Sequence, residues 1–90
     1  MPQIVMYTIE YCPFCNAAKT LLDRKGIPYT NHDLSDLSDR ELREKFRELS
    51  GRTTVPQIFI GDRHVGGYTD LDALDRSGEL DRLVQPPSKV

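Results

Sequence analysis

The 90-residue chain contains no tryptophan and only two cysteines. A single possible bridge cannot build the multi-disulfide framework that stabilises small secreted domains. No apolar run approaches the roughly 20 residues of a membrane-spanning helix. Charge of one sign is scarce too: twelve Lys and Arg against fourteen Asp and Glu leave a formal net charge of −2, and no basic run exceeds the pair Arg24-Lys25. Neither a nucleic-acid nor a membrane-surface partner is expected from that balance. The amino-terminal MPQIVMYTIE has no basic leader and meets an acid at Glu10, so it does not read as a secretory signal. A cytoplasmic location is therefore expected, where thiols are kept reduced.

What the chain does have is the composition of a globular domain, 38% hydrophobic and 29% charged. Its length suits one domain with one modest core, expected over residues 1–84, with QPPSKV (85–90) as a frayed tail. QIVMYTI (3–9) is β-branched and mostly apolar, and reads as a buried strand, β1. CPFCNAAKTLLDRKG (12–26) reads as helix α1, with Ala17, Ala18, Leu21 and Leu22 on its inner face and Gly26 at the C′ position. IPYTNHDL (27–34) opens on a proline-marked turn and continues as β2. Ser38 and Glu41 have the spacing of a capping box, and the helix they open, α2, carries Leu42, Phe46 and Leu49 before Gly51. QIFIG (57–61) and HVGG (64–67) read as a hairpin, β3 and β4, turning through Gly61-Asp62-Arg63. Thr69 begins α3, which runs through Leu71 and Leu74 to Gly78, and ELDRLV (79–84) adds a last short turn. The order β-α-β-α-β-β-α implies an α/β fold whose first two strands are parallel.

The two cysteines sit in Glu10-Tyr11-Cys12-Pro13-Phe14-Cys15, where a strand hands over to a helix. Three helical residues separate the Cα atoms by roughly 5 Å, within the disulfide range. The bond would close a four-residue loop worth only about 2 kcal/mol by chain entropy, so it serves poorly as a staple. It serves well as a reagent. The first N–H groups of a helix have no intrahelical acceptor and carry partial positive charge, which stabilises a thiolate on Cys12. Pro13 suits the first helical position, having no N–H to leave unpaired. Phe14 and Cys15 can turn their amides toward Cys12, while Cys15 lies one turn inward and more sheltered. Cys12 is thus expected to attack and Cys15 to resolve.

CPFC after a strand ending in Tyr-Thr, TVPQIFI at Thr54–Ile60 and GGYTDL at Gly66–Leu71, in this order and spacing, resemble the dithiol glutaredoxins of CPYC type, with Phe14 in place of the usual tyrosine. The resemblance spans about Ile4 to Leu83. It implies a thioredoxin-like fold, a four-stranded mixed sheet in the order β2-β1-β3-β4 flanked by helices, and glutathione as reducing thiol and co-substrate without a permanently bound cofactor. Only about 5 to 6% of X-Pro bonds are cis, so Val55-Pro56 alone would read as a trans proline opening an edge strand. The family instead has a cis proline here, which implies that the main chain of Val55 pairs with glutathione, flanked by Thr54 and Pro56. Thr69 and Asp72 have capping-box spacing, but Gly66 and Gly67 also let a ligand approach the main chain. By resemblance Gly67, Thr69 and Asp70 take the γ-glutamyl end of glutathione, with Tyr68 and Phe14 flanking the groove.

One position departs from the family. Relatives carry Lys or Arg three residues before the attacking cysteine; here the residue is Ile9, followed by Glu10. Arg52 is the candidate substitute cation for the glycyl carboxylate of glutathione, ahead of Arg40, while Lys19 reads as solvent-facing. His32 and His64 do not fit a zinc site, because C-x2-C-x16-H-x31-H is not a finger spacing and both fall in expected strands, so no metal is expected. Two functions follow. One is reduction of protein disulfides and protein-glutathione mixed disulfides through Cys12 and Cys15 in a monomer, with ribonucleotide reductase among the conceivable protein partners. The other is a module holding a [2Fe-2S] cluster through Cys12 and glutathione, against which Pro13 argues, since cluster binders carry a smaller residue there.

Overall fold

The computed structural model describes residues 3–84. Eight elements follow one another: β1 (Ile4–Thr8), α1 (Pro13–Arg24), β2 (Thr30–Asp33), α2 (Asp39–Leu49), β3 (Gln57–Ile60), β4 (Arg63–Gly66), α3 (Tyr68–Arg76) and α4 (Glu79–Val84). The strands form one sheet in the order β2-β1-β3-β4, as the resemblance implies. β1 runs parallel to β2 and antiparallel to β3, and β3 pairs antiparallel with β4.

Alternation along the strands sorts side chains onto two unequal faces. Ile4, Met6, Ile58 and Ile60 point to one face, where Ala18, Leu21 and Leu22 of α1, Leu71 and Leu74 of α3, and Leu80 and Val84 of α4 complete the main core. The opposite face is aromatic. Tyr7 stacks on His32 with ring centres 5.0 Å apart and meets Phe59 edge-on at 5.9 Å, and Phe59 meets His64 at 4.8 Å. One row of rings therefore crosses all four strands, ending in a histidine at each edge. α2 lies over this face, with Lys45 Nζ 5.7 Å from the centre of the Tyr7 ring.

The helix ends follow their local chemistry. Cys12 caps α1 in an extended conformation, Pro13 opens it, and Gly26 leaves it at φ +70°, a left-handed value that suits glycine. Ala17, expected on the inner face of α1, is half-buried, while Ala18, Leu21 and Leu22 are buried. The expected capping box is present: Glu41 N–H donates to Ser38 Oγ (3.2 Å) and Ser38 N–H donates to Glu41 Oε1 (2.9 Å). Only Phe46 of α2 is buried.

β2 runs over Thr30–Asp33, after the expected proline-marked turn, and Ile27 and Tyr29 pack against the main core before pairing with β1 begins. Several boundaries differ from the sequence reading. The hairpin turns through Gly61-Asp62 alone, with Gly61 at φ +59°, and Arg63 already belongs to β4. α3 begins at Tyr68, not Thr69, and its cap is Gly67. The six residues before the tail, Glu79–Val84, form a helix, α4, rather than a single turn. The tail expected over 85–90 lies outside the described residues. Among the described residues no helix is long and apolar enough to cross a membrane.

Replacing Ser38 removes one half of the capping box and leaves the Glu41 amide unpaired. Ser38→Ala is expected to lower stability by about 1 kcal/mol, read by urea unfolding, with no change in any activity of the dithiol.

Candidate active site

β1 ends at Thr8, and residues 9–12 carry the chain to the first turn of α1. Tyr11 takes φ +55°, uncommon for a side chain of its size, and is 95% exposed. This turn delivers Cys12 to the helix cap. Its sulfur accepts the Cys15 N–H at 3.1 Å, and the cap carbonyl accepts the Asn16 N–H at 3.0 Å. Of the two amides expected at the sulfur, that of Cys15 makes the contact. No acid occupies the first turn of α1 to oppose a thiolate there. Cys12 and Cys15 are joined as a disulfide with Cα atoms 5.2 Å apart, matching the helical spacing. Cys12 retains 8% exposure and Cys15 none. The sheltered partner is therefore Cys15, and of the two only Cys12 has any exposed surface.

A groove of about 180 Å³ opens beside this pair, lined by Phe14, Thr54, Val55, Pro56, Gly67, Tyr68 and Thr69. The Val55-Pro56 bond is cis, and Val55 O lies 4.0 Å from Cys12 Sγ. Phe14, 60% exposed, stacks on Tyr68 with ring centres 6.3 Å apart, and the two form an aromatic rim. The far end of the groove is the start of α3. Its first helical bond runs from Leu71 N–H to Gly67 O (3.0 Å), so the amides of Tyr68, Thr69 and Asp70 precede the intrahelical ladder.

Asp70 differs from expectation. Rather than Thr69 capping with Asp72, Asp70 Oδ2 accepts the Gly67 N–H at 3.0 Å, and Arg76 Nε donates to Asp72 Oδ2 (2.8 Å) one helical turn further on. The reach from the third helical residue back to the cap fits only if the cap is Gly67. Arg52 approaches the same carboxylate, with its guanidinium 3.8 Å from Asp70 Oδ2. Arg52 thus stands at the Asp70 end of the groove. Arg40 does not: it lies on α2, paired with Glu44 at 3.7 Å. Lys19 is half-buried rather than fully solvent-facing, and its charge acts on Asp33, on the β2 side of the cysteine loop. Ile9 also faces that side, in a separate hollow with Leu34 and Leu42.

Gln57 opens β3, and its side chain also holds the Arg52 segment in place. It is 1% exposed, accepts the Ser50 hydroxyl at 2.7 Å and donates to Arg52 O at 2.8 Å. A fully polar amide opening the apolar QIFI strand was the available signal, since a buried amide must find partners. His32 and His64 sit on β2 and β4, the two edges of the sheet, and so are not gathered with the cysteines.

A family model described as Glutaredoxin matches residues 4–65. The chain is 48% identical over 84 residues to a glutaredoxin of Pseudomonas aeruginosa, covering 93% of this chain and 98% of the relative. It is 46% identical over 85 residues to glutaredoxin 3 of Escherichia coli, covering 94% of this chain and all of the relative. Among solved structures, the solution structure of a Brucella melitensis glutaredoxin superposes with a TM-score of 0.79 at 46% identity, over all of this chain and 96% of that one. A buckwheat glutaredoxin-glutathione complex superposes with a TM-score of 0.81 at 30% identity, over 92% of this chain and 76% of that one. The fold and the paired cysteines define a thiol-disulfide oxidoreductase of thioredoxin-like architecture. The chain belongs to the glutaredoxin family.

The neighbouring glycines of the groove differ in what they tolerate. Gly66 has φ +121°, and a Cβ there would collide with the Asp70 carboxylate; at Gly67 the nearest atom, Pro56 O, would be 3.6 Å away, an ordinary contact. Gly66→Ala should cost more than about 1 kcal/mol, read as a fall in urea midpoint. Gly67→Ala should leave stability within about 0.5 kcal/mol while narrowing the groove.

His64 titrates abnormally. Burial lowers its pKa from the ordinary 6.5, the positive charge of Arg52 lowers it further, and Asp70 partly opposes both; its Nε2 is enclosed with no hydrogen-bond partner among the described residues. A depressed folded pKa means that the unfolded chain binds more protons just below the ordinary value. The stabilisation is complete above that value and is lost as pH falls through the folded one. Thermal midpoints should therefore fall as pH drops below the ordinary histidine value of 6.5, and His64→Gln should flatten that limb of the curve.

Proposed function

We propose that the protein is a glutathione-dependent disulfide oxidoreductase, reducing protein disulfides and protein-glutathione mixed disulfides through Cys12 and Cys15. The observation that carries this is the groove in which Phe14, Thr54, Val55, Pro56, Gly67, Tyr68 and Thr69 converge beside the exposed edge of Cys12. A related protein of the same fold is described in complex with glutathione.

In this reading the main chain of Val55 pairs with the cysteinyl unit of glutathione as an added strand. The unbonded amides at the start of α3 receive the α-carboxylate of the γ-glutamyl end. Asp70 faces its ammonium while keeping the Gly67 N–H, and Arg52 faces a carboxylate. Phe14 and Tyr68 close the groove from water.

The Cys12 thiolate attacks the glutathionyl sulfur of a mixed disulfide. A new S–S bond forms between Cys12 and glutathione, the old one breaks, and the protein thiolate leaves and takes a proton from solvent. A second glutathione thiolate then attacks the glutathionyl sulfur, releasing oxidised glutathione and the Cys12 thiolate. With a protein disulfide, Cys12 first forms a bond to one substrate sulfur. Cys15 gives up its proton and displaces that sulfur, leaving the substrate as a dithiol and the Cys12-Cys15 disulfide. Two glutathiones reduce that disulfide in turn.

Glutathione is then a co-substrate and no resident cofactor is invoked; the working location is the cytoplasm and the working form a monomer. The cluster-binding alternative predicts visible absorbance bands in anaerobically purified protein, and the oxidoreductase reading predicts none.

Cys12→Ser should abolish reduction of both substrate types. Cys15→Ser should retain reduction of a glutathionylated peptide but lose reduction of a protein disulfide that needs both thiols. Equal loss of deglutathionylation in the two variants would overturn the assignment of roles. Gly67→Ala should raise the glutathione KM without a matching fall in kcat.

A further inference from the structure

The glutathione groove uses only one flank of the cysteine loop. Thr54–Pro56 lead into β3, and Gly67–Thr69 follow β4, so the groove lies wholly on the β3 and β4 side of β1. On the other side, toward β2, a second hollow of about 310 Å³ lies between the loop that follows β1 and the loop that follows β2. Leu34, Leu37 and Leu42 form its apolar floor, Glu10 and Asp39 are its exposed acids, and Tyr11 stands at its edge. The two loops are tied together. Glu10 N–H donates to Ser35 Oγ at 2.7 Å, and Ser35 N–H donates to Asp33 Oδ1 at 2.8 Å. Among the described residues no base lines the hollow, and Arg40 on α2 lies 3.7 Å from Glu44.

We infer that this hollow seats the polypeptide of the protein substrate next to its reactive cysteine, and that it selects a segment carrying lysine or arginine beside an apolar residue. Three observations lead there. Tyr11 is bonded directly to Cys12, so a substrate sulfur that reaches Cys12 brings its neighbouring residues to the Tyr11 ring. Glutathione takes the opposite flank, which leaves the β2 side for the polypeptide. The apolar floor with acids and no base complements a side chain that buries an aliphatic stem and keeps a cation at the rim. Tyr11, 95% exposed in a left-handed turn, presents a flat face to that segment.

The inference rests on the reading of Cys12 as the thiolate that takes up the glutathionyl group, and the test separates the two. Wild-type protein is assayed with three substrates: the mixed disulfide of glutathione and 2-mercaptoethanol, which has no polypeptide, and two glutathionylated peptides that differ only in carrying Leu-Lys or Leu-Glu on each side of the cysteine. The lysine peptide should be favoured in kcat/KM by roughly twofold to tenfold, and the preference should shrink in high salt. The double variant Glu10→Gln with Asp39→Asn should lose the preference and keep full activity on the small mixed disulfide. Asp62→Asn, in the hairpin turn at the far end of the sheet, changes net charge but should keep the preference. Tyr11→Asn, whose new residue accepts the left-handed turn, should lower kcat/KM for both peptides and spare the small substrate.

Activity on the small mixed disulfide with no preference between peptides would overturn this inference alone. A preference that survives the double variant, or that Asp62→Asn abolishes, would also overturn it. So would sedimentation showing that the wild type is a dimer and the double variant a monomer, which would assign the hollow to a second copy of the chain. No activity on any of the three substrates would overturn the parent reading as well.

Discussion

The contact between the Cys15 amide and the Cys12 sulfur organises everything else in the site. A helix start leaves its first amides without partners, and a sulfur at the cap accepts one of them at 3.1 Å. The arrangement needs a chain that leaves β1, reverses within a few residues and enters α1 with the cap extended. Pro13 holds the first helical residue, and Tyr11 takes up the left-handed turn that makes the reversal possible. The same geometry buries Cys15 completely. One local constraint therefore fixes which sulfur is presented, which amide it accepts and which partner is sheltered behind it.

The rest of the site is brought to that sulfur by the sheet. β3 lies beside β1 and runs antiparallel to it, so the segment entering β3 comes up next to the end of β1. Val55 O is placed beside Cys12 by this pairing. β4 then returns the chain along β3, and the start of α3 arrives at the same end. Gln57 links the groove to the interior, because the amide that opens β3 also holds Ser50 and the Arg52 carbonyl. A buried amide with both of its groups engaged costs little to keep buried, whereas losing one partner leaves the other unsatisfied. The groove is thus anchored by a buried amide on the α2 side of the sheet rather than resting on free loops.

Patterns with a local cause were legible in the sequence. The capping box at Ser38, the left-handed Gly26, Pro13 at the first turn and the hairpin glycine all follow from nearest-neighbour chemistry, and each stands as expected. Family resemblance supplied what local chemistry could not, namely the sheet order and the cis bond before Pro56. What escaped depended on contacts distant in the chain or between competing local solutions. Thr69 and Asp72 satisfied the spacing of a capping box, but so did Gly67 and Asp70, and spacing does not choose between them. Nothing near Gln57 in sequence announced that its partners would be Ser50 and Arg52. Arg52 ranked ahead of Arg40 because it closely precedes Thr54-Val55-Pro56, but that it stands beside Asp70 follows only from the path of the chain after α2.

Asp70 shows how the groove combines strength with adaptability. Its carboxylate has several acceptor positions, one occupied by the Gly67 amide and another facing Arg52 at 3.8 Å. The first contact is short and local, and it secures the bend between β4 and α3. The second is long and half-exposed, so it contributes little to stability. Gly66 is compelled by the first, since any side chain there would occupy the space of the carboxylate. A ligand carrying both an ammonium and a carboxylate could engage Asp70 and Arg52 by loosening only the weak pair, with the bend left intact. The cost of opening the site then falls on the interaction that contributes least to the fold, which is how a rigid scaffold can carry a groove ready for exchange.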